Sequence, residues 1–163
     1  MHSPSTLLNL IEQAIQDITY PKYPGSLCEP ISYIMSLGGK RIRPTMLLMS
    51  ADLFNGDIQK AIPAALAIET FHNFTLIHDD IMDNAPLRRG KKTVHEKWDT
   101  NTAILSGDVM MVEANKHITR VDIKVLKPAI DTFNITAQGV CEGQQLDMEF
   151  EKHCQNTKHD RIQ

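Results

Sequence analysis

The chain has 163 residues and a formal net charge of −3, with 42% apolar and 23% charged residues. That length accommodates one domain with a sizeable core, and the slight negative balance excludes a molecule-wide surface for nucleic acid or anionic membrane. Cys28, Cys141 and Cys154 are odd in number and lack CxxC spacing, which excludes a disulfide framework or zinc site and predicts a reducing cytoplasm.

Met1 to Thr6 carry no basic start followed by an apolar run, so no signal peptide is expected. No apolar run approaches the roughly 20 residues that a membrane span requires. Leu8, Ile11, Ala14, Ile15 and Ile18 recur at helical spacing and predict a helix over 7–18. Pro21, Pro24 and Gly25 interrupt it. A second helix is expected over 28–37, stopped by Gly38-Gly39, and a third over 44–54, opened by Pro44. The longest periodic stretch covers 58–83 and ends at Asn84-Ala85-Pro86. Residues 84–98 read as a polar, basic loop closing on Trp98, followed by helical patterns over 102–118 and 127–151. The polar stretch 151–163 reads as a loop. No stretch alternates at period two, so the fold class is all-α with about six helices.

Asp79 and Asp83 are four residues apart, so they share one helix face, with Leu76 and His72 behind them on the same stripe. Two carboxylates at a helix C-terminus repel one another and oppose the helix dipole. Breaking two local rules together points to function. Mg²⁺, which takes one or two carboxylates and completes its shell with water and phosphate oxygens, would reverse both terms. Spacing alone fits a solvated acidic helix end equally well.

Two basic clusters shift that balance. One is Gly38-Gly39-Lys40-Arg41-Ile42-Arg43-Pro44, and the other is Arg88-Arg89-Gly90-Lys91-Lys92. Glycine lets backbone and side chains close around phosphate, and arginine offers phosphate a planar fork. Together with the acidic pair, the clusters predict a site for a polyphosphate or for two diphosphates.

Gly-Gly-Lys-Arg-Ile-Arg-Pro at 38–44, His-Asp-Asp-Ile-Met-Asp at 78–83, Arg-Arg-Gly at 88–90, Gly-Asp at 107–108 and Gly-Gln-Gln-Leu-Asp at 143–147 resemble the ordered motifs of trans-isoprenyl diphosphate synthases. The resemblance implies an isoprenoid-synthase-type helical bundle around a central cavity. It implies a prenyltransferase that joins isopentenyl diphosphate to an allylic diphosphate (dimethylallyl, geranyl or farnesyl) and releases pyrophosphate, with Mg²⁺, or Mn²⁺ in its place. Asp79 and Asp83 would hold the metal, with Asp80 supporting them or joining the metal cluster. Arg88 would contact the allylic diphosphate. Lys40, Arg43, His72 and Arg89 would hold isopentenyl diphosphate. Gln144 and Asp147, three apart on one helix face, match a motif that faces the allylic site. Alone, His72, Gln144 and Asp147 would read as ordinary polar positions.

Phe74 and Thr75 precede the aspartate motif by five and four residues. In the resembled family such positions floor the cavity, so a bulky Phe74 implies a short product, C20 in preference to C15. The arginines are expected to stand apart from the aspartates, with substrate diphosphate between them, and Arg88 and Arg89 to face different substrates.

The chain departs from the resembled family in length. It has roughly half the usual residues and lacks a second aspartate-rich motif, so residues 1–163 are expected to be the N-terminal part of a single synthase domain, in a protein that forms a homodimer. A class I terpene cyclase would need the aspartates but not Gly38 to Pro44 or Arg89. A non-catalytic subunit that modulates a complete synthase is the other reading.

Overall fold

In the computed structural model, which describes residues 1–21 and 23–159 (152–159 as backbone alone), seven helices account for most of the described chain. They are α1 (Pro4–Gln16), α2 (Gly25–Ser36), α3 (Ile42–Leu53), α4 (Ile58–Met82), α5 (Val94–Lys97), α6 (Thr100–Ile118) and α7 (Ile123–His159). The all-α expectation holds. Two additions were not legible: α5, and a hairpin of two-residue strands, β1 (Leu87–Arg88) and β2 (Lys91–Lys92).

Caps fix where the helices start, earlier than the apolar pattern for α1 and α6 and at its first residue for α4. Ser3 accepts the backbone N–H of Thr6 ahead of α1, Asp57 those of Gln59 and Lys60 ahead of α4, and Asp99 that of Thr102 ahead of α6. Each satisfies an orphan donor of a first turn. Pro44 is the third residue of α3, where its missing N–H costs no intrahelical bond. The expected loop at 151–163 is corrected over 151–159, where α7 continues to His159, and its last four residues lie outside the described ones. Over the part already expected to be helical, pairs four apart, Lys127 with Asp131, Gln138 with Glu142 and Gln145 with Glu149, add local support.

The described chain divides into two units, Met1–Leu126 and one that begins at Lys127. In the first, α4 is buried on several sides, through Ala65, Leu66, Ala67, Thr70, Phe71, Asn73 and Ile77. Helices α3 and α6 pack directly on it. Leu7, Ile11, Ile31, Ile34, Leu48, Ile77 and Met110 are fully or almost fully buried and form the centre of the core. The aspartate motif ends α4, so the most enclosed helix carries it. The second unit is the greater part of α7.

Candidate active site

Gly38, Gly39 and Arg41 all have positive φ, of 71°, 152° and 46°. The left-handed turn at Gly38 suits glycine, and Arg41 adopts the same region as the N-cap of α3. The chain therefore curls as it passes from α2 to α3, exposing Lys40 and Arg43 while burying Arg41 between them. Gly39 leaves room for Arg89: a Cβ there would lie 3.0 Å from both terminal nitrogens of that guanidinium.

A cleft of about 480 Å³ results, lined by Lys40, Arg41, Arg43, Glu69, His72 and Arg89 among others. Thus all four residues expected to hold isopentenyl diphosphate meet in one place, although they lie on three separate segments. Arg43 Nη1 is 3.3 Å from His72 Nε2. Burial lowers the His72 pKa, and Arg43, Arg89 and Arg88 add to this against the opposing pull of Glu69. The neutral imidazole accepts from Arg43. Burial also lowers Arg89, with Arg41 and Arg88 adding to it and Glu69 opposing. An entering anion would relieve this crowding of positive charge.

The second half of the site is the C-terminal end of α4. Arg89 and Gly90 have φ of 53° and 75° and form the two-residue turn of the hairpin, in which Arg88 pairs with Lys91. Two left-handed residues in succession match the twist of a tight hairpin. The turn sends the neighbouring arginines to different partners. Arg89 enters the cleft. Arg88 folds back onto α4, with Nε 3.0 and 2.8 Å from the two oxygens of Asp80 and Nη2 2.8 Å from Asp80 Oδ1 and 3.3 Å from Asp79 Oδ2. These contacts raise the Arg88 pKa further, the hydrogen bond to Asp80 most of all.

Arg88 and Arg89 thus point to different surroundings, the aspartates and the cleft. The separation of Arg88 from the aspartates is corrected: Arg88 is bound to two of them. The chain reversal at 84–90 brings it back, and the backbone bond from Ala85 N–H to Asp80 O (2.9 Å) and the Thr93 hydroxyl on Ala85 O (2.7 Å) hold that reversal.

Asp80 is 1% exposed and engaged by Arg88, so its place fits the supporting role. Asp79 is half-buried and Asp83, the C-cap of α4, is exposed. Among the described residues no three His, Cys, Asp or Glu side chains converge as a metal-binding group. Two carboxylates one turn apart still suit Mg²⁺, which requires only one or two before substrate oxygens complete its shell. Asp79 and Asp83 are the residues that could hold it.

Phe74 is half-buried against the core, its ring 5.6 Å from that of Phe71 and 4.7 Å from that of His78. Thr75 is half-buried and donates its hydroxyl to His72 O. Gln144 and Asp147 lie on α7, the first half-buried and the second exposed, and belong to the second unit.

Two residues of the cleft went unread in the sequence. Arg41 was visible only as part of a basic run. Glu69 stands three residues before His72, which puts it on the His72 side of α4, and that spacing was the available signal.

The sequence model of the family described as Polyprenyl synthetase matches residues 24–162. The chain belongs to the polyprenyl synthetase family. It is 38% identical to a geranylgeranyl diphosphate synthase of Methanosarcina mazei over 94% of this chain and 48% of that one. It superposes on a crystal structure of a geranylgeranyl pyrophosphate synthase with a TM-score of 0.89 at 45% identity, covering 93% of this chain and 46% of that one. For the geranylgeranyl pyrophosphate synthetase of Pyrococcus horikoshii the values are 0.85 and 37%, with 91% and 47% covered. The chain therefore spans about half the length of the relatives it matches.

The two lowered histidines predict how stability depends on pH. His117 is 3% exposed, and burial lowers it first, with Arg120 and Lys116 adding and Glu113 opposing. His72 and His117 bind protons less readily folded than unfolded, so stability rises with pH across their window. It should fall as pH drops below the ordinary histidine value of 6.5 toward the folded values. Urea unfolding at pH 7.5 and 5.5 checks this. An unchanged midpoint would contradict the lowered proton affinity of the two histidines.

Proposed function

We propose that the protein carrying this chain condenses isopentenyl diphosphate with an allylic diphosphate to give a short-chain trans-polyprenyl diphosphate. The observation that carries the reading is the meeting of Lys40, Arg43, His72 and Arg89 in one cleft, separated by one peptide bond from Arg88 on the aspartates. Two anion-binding groups side by side suit two diphosphate substrates.

Mg²⁺ held by Asp79 and Asp83, with Mn²⁺ as a substitute, would neutralise charge on the departing diphosphate. Lys40, Arg43 and Arg89 bind the isopentenyl diphosphate oxygens, and His72 orients Arg43. Arg88, steadied by Asp80, presents its remaining donor to the allylic diphosphate as charge grows there. Gln144 and Asp147 are assigned to the allylic side. The apolar side chains before the aspartates exclude water from the allylic cation. The same reading includes a homodimer in the cytoplasm. No helix among the described residues is long and apolar enough to cross a membrane.

A prenyl-transfer assay on the complete polypeptide, with labelled isopentenyl diphosphate and separate dimethylallyl, geranyl and farnesyl primers, tests the reading. Label appearing in prenyl products supports it. Binding of both diphosphates without transfer would indicate a non-catalytic subunit. Turnover of geranyl or farnesyl diphosphate without isopentenyl diphosphate would indicate a cyclase.

Phe74 and Thr75 are assigned to the chain-length stop, with a C20 product. Phe74→Ala should lengthen the product, read by chromatography of the dephosphorylated prenols. An unchanged distribution would remove Phe74 from that role.

A further inference from the structure

The cleft proposed for isopentenyl diphosphate has a carboxylate in its wall. Glu69 has a side chain only 4% exposed and lines the same space as Lys40, Arg43, His72 and Arg89. A buried negative charge facing a diphosphate would repel it and would be costly by itself.

Arg41 resolves both problems. It is 3% exposed, and its donors turn away from solvent. Nη1 bonds Glu69 Oε1, Nε bonds Glu12 Oε1 at 3.1 Å, and Nη2 bonds Met35 O at 2.8 Å. One guanidinium thus ties α4, α1 and the last turn of α2 together at the N-cap of α3. Asn73 Nδ2 completes the set, 3.2 Å from Glu69 Oε1.

We infer that Arg41 is a positioning residue for the diphosphate cleft. It neutralises Glu69 and fixes the curled loop so that Lys40 and Arg43 stand opposite His72 and Arg89, while making no contact with substrate itself. This rests on the function proposed above. It separates two arginines that the sequence places in one basic run: Arg43 serves the ligand, and Arg41 serves the carboxylate beneath it.

The groups facing Glu69 are Arg41 from the loop, Glu12 from α1, His72 and Asn73 from α4, and Arg89 from the hairpin. Of the arginines, Arg41 alone bonds Glu69 among the described hydrogen bonds. Removing its charge should leave Glu69 negative in the cleft. Removing Glu69 as well should restore the balance. A residue that binds the diphosphate directly could not be rescued in that way.

The test is calorimetric binding of isopentenyl diphosphate to the complete polypeptide, with geranyl diphosphate as the second ligand and circular dichroism as the check on folding. Arg41→Met should weaken isopentenyl diphosphate binding by roughly tenfold to a hundredfold, the effect of one uncompensated charge at a few ångströms. Geranyl diphosphate affinity should stay within about threefold, a shift under 1 kcal/mol. Arg41→Met combined with Glu69→Gln should recover most of the loss.

A folded double variant as weak as Arg41→Met would make Arg41 a ligand and overturn the inference, as would a folded Arg41→Met with unchanged affinity. Should Arg41→Met not fold, Glu69→Gln alone decides: affinity equal or tighter supports the inference, and a tenfold loss overturns it. An unsubstituted protein that binds no isopentenyl diphosphate overturns the proposed function and this inference with it.

Discussion

Asp80→Asn is expected to cost both stability and activity, although Asp80 is the most buried of the three aspartates. Its carboxylate receives Nε and Nη2 of Arg88 at 2.8 to 3.0 Å. Such a fork between charged groups is stronger than a neutral hydrogen bond. Asparagine keeps the shape but removes the charge, leaving Arg88 with Asp79 at 3.3 Å. Removing one partner of a fully buried pair costs about 3–5 kcal/mol. The Arg88 side chain is 22% exposed and retains Asp79, so about 1–3 kcal/mol is expected here.

The effect on catalysis should be larger. Released from Asp80, Arg88 no longer has a fixed place for the allylic diphosphate proposed to bind there, and misplacement of about 1 Å can cost 10²-fold. Urea unfolding and kcat with geranyl diphosphate check the two parts. The expected pattern is a lower midpoint with unchanged slope, and kcat down by about 10²-fold. Wild-type kcat in the variant would remove Asp80 from the site.

The sequence made the helical frame and the members of the cleft legible because both depend on simple spacings. The stripe from His72 to Asp83 follows the helical period, and α4 keeps it to Met82. Lys40 and Arg89 are charges beside glycines and Arg43 belongs to the same short basic cluster as Lys40, and the positive φ at Gly38, Gly39 and Gly90 shows why those glycines are there.

What was not legible depends on chain reversals. Residues 84–93 form strands too short to alternate, so the hairpin that returns Arg88 to Asp80 leaves no periodic signal. Arg41 and Arg43 look equivalent in a basic run. Their opposite fates follow from the left-handed φ of 46° at Arg41, a conformation that side-chain identity does not announce. The early end placed on the last helix has a different cause. The polar turns of α7 beyond 151 follow no apolar stripe, and the periodic signal ends before the helix does.

Gly107→Val is expected to destabilise the protein through a clash with His78. A Cβ at Gly107 would lie 2.4 Å from His78 Nε2 and 2.7 Å from His78 Cδ2, far inside van der Waals contact. The ring of His78 occupies the notch that this glycine leaves, with Nε2 3.3 Å from Ile104 O. Ala103, Gly107, Met110 and Ala114 form the buried stripe of α6, and its small members let α4 approach closely.

Replacing glycine within a helix normally gains up to about 1 kcal/mol. Here the added atoms meet an aromatic ring held between two packed helices, and overpacking of that kind costs about 1–3 kcal/mol or more. The β-branched side chain of valine also removes most of the propensity gain. A net loss of about 2 kcal/mol is expected, lowering Tm by roughly 4–8 °C for a folded unit of 150–250 residues. His78 immediately precedes Asp79 and meets Phe74 edge to face, so displacing its ring should disturb both the carboxylate and Phe74. Combining Gly107→Val with His78→Ala distinguishes this mechanism from general damage to α6. If the clash is the cause, the double variant should be more stable than the sum of the single losses predicts, by about 1 kcal/mol or more. Strict additivity in that cycle would show that His78 is not what excludes a side chain at position 107.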